Sequence, residues 1–320
     1  MAQFIQLTEQ RQQTIVDELL AGLTAARAST SPKYLYDALG SKLFEAICEL
    51  PEYYPTRTEA GIFQKHGPEI AQAVGTGSTL IDLGAGNCAK AAQLFPSLQP
   101  AQYAAIDISV EFLRDAVGRL QQQFPAIDML GVGMDFSTSL ALPDSVRDEN
   151  RLFFYPGSSI GNFTSDQALV FLQQIKAACT HDGVSDGGLL IGVDLLKEKS
   201  LLDAAYDDAL GVTASFNLNL LLHLNRLLGA DFDVRAWRHR GFFNPALSRI
   251  EMHLEAASDQ TVHWSNGERH FARGERIHTE NSYKYTRQGF VELLARAGFE
   301  NVTVWSDPQL WFMVCHAHAG

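Results

Sequence analysis

Thr79-Leu80-Ile81-Asp82-Leu83-Gly84-Ala85-Gly86-Asn87 decides the fold. A short apolar run that stops at a Gly-x-Gly turn reads as a buried strand leading into a helix. The glycines let the backbone approach a ligand closely. Downstream the pattern recurs. A strand over 103–106 ends at Asp107, and a helix over 110–122 follows. A strand over 129–133 ends at Asp135-Phe136, and one over 151–155 runs into Gly157–Asn162. A helix over 165–180 and a strand over 188–193 complete the series. Strands joined by helical crossovers predict an α/β fold with a doubly wound, Rossmann-like parallel sheet. Such sheets bind cofactors at the carboxyl ends of their strands.

After Asp194 the character changes. Residues 200–228 read as mostly helical, and 249–257, 270–272 and 277–285 as strands of a different sheet. The tail returns to the first pattern, with a helix over 286–297, a turn at Gly298 and strands over 302–305 and 311–316. A helix followed by a terminal hairpin is how class I methyltransferase sheets finish. Upstream, 8–23 and 34–48 read as helices, and Thr58 reads as the N-cap of an amphipathic run to Val74. The nucleotide-type domain is therefore expected to be split over 59–195 and 285–320. An inserted α+β substrate-binding domain takes 196–284 together with 1–58. A substrate site in the cleft between them is the expectation.

Composition narrows the function. The chain of 320 residues is 46% hydrophobic and 19% charged, as soluble globular proteins are. Its net charge of −12 argues against nucleic-acid or anionic-membrane partners, which need a basic face. Cys48, Cys88, Cys179 and Cys315 form no Cys-x-x-Cys pair, and scattered thiols fit a reducing cytoplasm. The first twenty residues lack a basic segment followed by an apolar run, so no signal peptide is read. His316 and His318 read as strand-borne residues, not metal ligands, and no metal site is expected. The oligomeric state is not readable; a monomer fits.

Asp107 follows the glycines by about 20 residues, where a carboxylate can take two ribose hydroxyls. Gly84-Ala85-Gly86-Asn87-Cys88-Ala89 also fits the dinucleotide fingerprint, which keeps an NAD(P)-dependent oxidoreductase open. Three features favour S-adenosylmethionine. Asp82 stands before the turn, suited to the cofactor's cationic end. Asp135-Phe136 offers a carboxylate for the adenine amine and a ring for its face. The terminal hairpin is the third.

Long segments closely resemble the histidine Nα-trimethyltransferases of ergothioneine biosynthesis. They include PKYLYDALGSKLFEAICELPEYYPTRTEAGI, LIDLGAGNCAK, GSSIGNFT, AYDDALGVTASFNLNLL, RIEMHL and TENSYKY, in order along nearly the whole chain. The resemblance implies that Gly84, Gly86, Lys90, Asp107, Asp135 and Phe136 bind S-adenosylmethionine, released as S-adenosylhomocysteine. It implies that Asn162 and Tyr206 hold the substrate carboxylate, and that Gly157, Tyr36 and Tyr53 line the amine. Met252, Glu280 and Ser282 would receive the imidazole. Glu280 and Ser282 share a strand face by their i, i+2 spacing, and Met252 offers a soft apolar wall.

Taken as residues alone, Glu280 and Ser282 read better as a solvated strand face, and the three tyrosines as core or rim aromatics. Asp207-Asp208 read as helix-capping or solvated acids. Asn281 stands where a small apolar residue is expected, and its side chain should point to the opposite face. The implied reaction is in-line displacement of a sulfonium methyl by the neutral α-amine of free histidine, run up to three times to the betaine hercynine. It demands alignment and desolvation. Tyr36, through water, is the candidate proton acceptor. Nα-methylation of tryptophan or tyrosine is the alternative within the same chemistry.

Overall fold

The computed structural model describes residues 2–7, 12–181 and 184–320. The chain divides into two compact units. The first comprises the described residues of 1–9, with 55–196 and 284–320; the second comprises those of 10–54, with 197–283.

The first unit is an eight-stranded sheet. Its order is Gln3–Gln6, Asp128–Gly133, Gln102–Asp107, Thr79–Leu83, Arg151–Tyr155, Gly188–Asp194, Phe312–His318, Glu300–Ser306. The first six strands are parallel; the last two pair antiparallel as the terminal hairpin. The fold is thus the doubly wound α/β sheet of class I methyltransferases. Alternation along each strand feeds two cores. Ile81, Leu83, Ala104 and Ile106 face one, and Leu80, Tyr103 and Ala105 the other.

Two expectations for this unit need correction. Residues 1–58 do not belong wholly to the inserted domain, because Gln3–Gln6 adds an edge strand parallel to Asp128–Gly133. Four residues with one apolar pair are too few for a periodicity to register. The helix placed after Thr58 starts at Tyr54 and runs to Val74. Pro55 sits in its first turn, where a missing N–H costs nothing.

The second unit carries a three-stranded antiparallel sheet of Arg276–Tyr283, Arg249–Ala256 and Trp237–Asn244. Helices Ala38–Cys48, Lys199–Tyr206 and Val212–Leu228 belong to the same unit. Trp237–Asn244 escapes a sequence reading because Arg238, His239 and Arg240 interrupt its apolar alternation. The strand expected at 270–272 is part of a separate hairpin, Gln260–Trp264 with Gly267–Phe271. The single helix expected over 34–48 is a 3-10 turn, Pro32–Leu35, then a helix capped by Asp37, which accepts from the Gly40 amide at 2.7 Å. The helix expected over 8–23 is seen as Gln12–Thr24; residues 8–11 lie outside the described ones. No helix among the described residues is long and apolar enough to cross a membrane.

Candidate active site

In the first unit the candidate residues gather where the parallel strands end. Gly84 and Gly86 take positive φ values of 73° and 53°. The Gly84 and Ala85 amides bond back to the Ile106 carbonyl at 2.9 and 3.0 Å, which folds the turn over the neighbouring strand. Asp107 accepts from the Gly86 amide at 2.9 Å and the Ser109 amide at 2.8 Å. Burial pushes its carboxyl above the ordinary value, against the pull of these amides. The Phe136 ring lies 3.8 Å from where a Cβ on Gly84 would stand, so a side chain there would fill the space beside the ring. Asp135 is buried and takes both the amide and the hydroxyl of Ser137. Lys90 and Gly157 meet on a residue that sequence reasoning passed over, Glu59. Its Oε2 accepts from Lys90 Nζ and its Oε1 from the Gly157 amide, both at 2.7 Å. Asn162 closes the 3-10 turn Ser159–Asn162 just beyond and is half-buried.

Asp82 is 1% exposed; Tyr103 donates to its Oδ2 at 2.8 Å, while its Oδ1 is buried with no hydrogen-bond partner. An orphaned carboxyl oxygen two residues before the glycine turn suits a ligand that brings a donor or a positive charge. Burial raises its pKa from 3.8 to about 7. The folded chain therefore holds a proton that the unfolded chain releases above 3.8. That contribution to stability is full at acid pH and is lost as pH rises through about 7. Asp82→Asn imitates the neutral form and still accepts from Tyr103. Between about pH 5 and pH 8 its melting temperature should rise by several degrees relative to wild type. Parallel pH profiles of the two proteins would show that Asp82 is not held neutral.

In the second unit the candidates form one cluster. Tyr206 ends its helix and donates to Ser282 Oγ at 2.9 Å. Its carbonyl accepts from His239 Nε2 at 2.8 Å, and the Asn217 amide orients the other ring nitrogen. A Cβ on Gly241 would fall 2.3 Å from that carbonyl, so the close approach requires glycine. The Tyr53 and Tyr206 rings are 6.0 Å apart, and Phe44 links Tyr53 to Tyr36 edge-on. Burial, then the neighbouring Tyr206, Cys48, Tyr36 and Glu280, pushes the Tyr53 phenol far up, so it stays a neutral donor. Met252 stands opposite Glu280 across the strand pair. The register shifts beside Met252, where Thr279 Oγ1 bonds the Met252 carbonyl at 3.1 Å.

Glu280 is 8% and Ser282 5% exposed, which rules out a solvated face. Asn281, on the opposite face, bonds His278 Nε2 at 2.9 Å. Asp208 caps Val212–Leu228 through the Val212 and Thr213 amides. Although burial alone would raise it, those amides hold its carboxyl below the ordinary value. His316 and His318 lie on the terminal strand, and burial lowers His316 to about 4.

The model of histidine-specific, S-adenosylmethionine-dependent methyltransferases matches residues 15–319. The chain belongs to that family. It is 40% identical to the histidine N-alpha-methyltransferase of Mycolicibacterium smegmatis, over 91% of this chain and 90% of that one. It is 37% identical to the Mycobacterium tuberculosis protein of the same name, with the same coverage. Ergothioneine biosynthesis protein 1 of Neurospora crassa is 30% identical over 85% of this chain and 31% of its own length. Membership makes the chain an S-adenosylmethionine-dependent N-methyltransferase and sets aside the nicotinamide alternative. The glycine turn, the orphaned Asp82 oxygen and the Phe136 ring form a cradle that fits such a cofactor.

The glycine turn stands open in this sequence, but Glu59 gave no comparable signal. It is one acid on a helix, and only its burial at 1% exposure distinguishes it. Phe44 and Phe216, whose ring centroids lie 5.5 and 5.4 Å from that of Tyr36, escaped for the same reason.

Proposed function

We propose that this methyltransferase acts on the α-amine of free L-histidine, transferring up to three methyl groups to give hercynine for ergothioneine biosynthesis. The observation that carries the reading is the buried Glu280–Ser282 strand face, with Tyr206 bonded to Ser282 and Met252 opposite Glu280. A neutral imidazole has one N–H and one acceptor nitrogen. Glu280 accepts the N–H, Ser282 serves the other nitrogen, and Met252 walls the ring. The names of the relatives point the same way.

The second unit is the substrate-binding domain, and the first is the S-adenosylmethionine domain. Gly84, Gly86, Lys90, Asp107, Asp135 and Phe136 hold the cofactor. Asn162, with Tyr206 once its hydroxyl turns from Ser282 to the ligand, holds the amino-acid carboxylate, and Tyr53 and Gly157 line the amine. When bound, the cofactor supplies a methyl group on a sulfonium. The chain's own work is to orient the amine, keep water out and receive its proton. An α-amine titrates near pKa 8, so each round needs only mild assistance. Tyr36, half-buried between Phe44 and Phe216, relays that proton through water. The tyrosine faces tolerate the accumulating cationic ammonium. Four free cysteines fit a cytoplasmic enzyme. The test is which free amino acid, offered among all the others, gains methyl groups; histidine should, and histamine, lacking the carboxylate, should not.

A further inference from the structure

Within the first unit, the turn that carries Gly157 is held from two sides, by the backbone amide of Asp194 and by the carboxylate of Glu59. On one side Asp194, 1% exposed in its side chain, is paired with Lys284 Nζ at 2.7 Å, and its amide donates to Ser158 Oγ at 2.9 Å. On the other side stands Glu59. One of its oxygens takes the Gly157 amide, the other the Lys90 ammonium. The fold has made room for this carboxylate. A Cβ on Gly192 would fall 2.0 Å from Glu59 Oε1, and one on Gly157 would fall 3.0 Å from Lys90 Nζ. The Lys90 side chain is 36% exposed and that of Glu59 1%. The pair is therefore sealed on its carboxylate side and open on its ammonium side.

A lysine stem is long and flexible, and its charge is strongly hydrated. Restraining it before a ligand arrives removes part of the ordering cost of binding. We propose that Glu59 is a positioning residue for methyl transfer, fixing the Lys90 ammonium for the cofactor's carboxylate and, with the same side chain, the Gly157 amide of the substrate turn. The inference rests on the reading of Lys90 as a cofactor ligand and of Gly157 as part of the amine pocket. One buried group then couples the seats of donor and acceptor.

The test uses the full chain with Glu59→Gln, Lys90→Met and the double variant. A glutamine carbonyl accepts from Lys90 or from Gly157, and its NH2 then opposes the other donor. Calorimetry should find S-adenosylmethionine and S-adenosylhomocysteine bound about tenfold or more weakly by folded Glu59→Gln, with kcat reduced as well. Lys90→Met should weaken both too. The double variant should bind no worse than Lys90→Met and melt higher than it, because no buried carboxylate is left short of its cation. Glu59→Asp, which keeps the charge, should recover part of the affinity. A lower melting temperature with unchanged affinity and kcat in Glu59→Gln would mark a merely structural role and overturn the proposal. Wild-type affinity in Lys90→Met would overturn the cofactor assignment of Lys90 and the proposal with it. Weakened Lys90→Met beside unaltered Glu59→Gln would overturn the proposal and leave the cofactor assignment of Lys90 standing. Should Glu59→Gln not fold, Glu59→Asp is the variant read: weakened cofactor binding supports the proposal, and wild-type affinity overturns it.

Discussion

Glu280→Ala should lower kcat/KM for histidine about a hundredfold and narrow the preference over phenylalanine and tryptophan, while S-adenosylmethionine affinity stays at its wild-type value. The magnitude follows from a hydrogen bond between an ionised group and a ring N–H, about 1.5–3 kcal/mol. Glu280 is 8% exposed, so solvent does little to screen it. A site that must hydrogen-bond a polar ring rejects apolar rings, because its own buried groups are then left unmatched. Removing the carboxylate relieves that rejection at the same time as it weakens histidine. Met252→Val, added to Glu280→Ala, enlarges the pocket from the facing strand and should admit tryptophan. Competition among the three amino acids, followed by rate and product, reads both effects. Undiminished histidine preference in the double variant would show that Glu280 does not read the ring. A parallel loss of cofactor affinity would point to a general disturbance instead.

Asp107→Ala should weaken S-adenosylmethionine binding by at least tenfold, and up to a hundredfold, with little change in the histidine KM at saturating cofactor. Two things are lost together. Ribose hydroxyls lose a charged acceptor, on the order of 1–3 kcal/mol. The Gly86 and Ser109 amides lose the group that holds the turn in shape. Asp107→Asn keeps one acceptor oxygen and should fall between the two. Calorimetry on folded protein decides it, and unchanged affinity in the alanine variant would remove Asp107 from the cofactor site.

The proposed cofactor residues were legible because they sit at strand ends, one or two residues from a periodicity change. Thr79–Leu83 announces Gly84, and Gln102–Asp107 announces Asp107. The proposed substrate residues were suggested only by resemblance. Glu280 and Ser282 lie on a strand whose alternation says nothing about which face is buried, and the bond from Tyr206 to Ser282 spans 76 residues. Glu59 was not legible at all. Its burial depends on Gly157, 98 residues away, and on the missing side chain of Gly192. Trp237–Asn244 escaped because its charged residues mask a strand that tertiary pairing defines. Local pattern thus recovered the sheet, while the clusters at Glu59 and at Ser282 rest on long-range contacts.

The proposed methyl acceptor is the α-amine of free histidine. The most direct measurement is mass spectrometry of the enzyme incubated with S-adenosylmethionine and an equimolar mixture of the twenty amino acids, with histamine in a parallel reaction. Histidine alone should gain mass, in steps of one, two and three methyl groups on the α-nitrogen, and histamine should stay unmodified. Preferential methylation of another amino acid, methylation of the imidazole, or equal turnover of histamine would contradict that proposal.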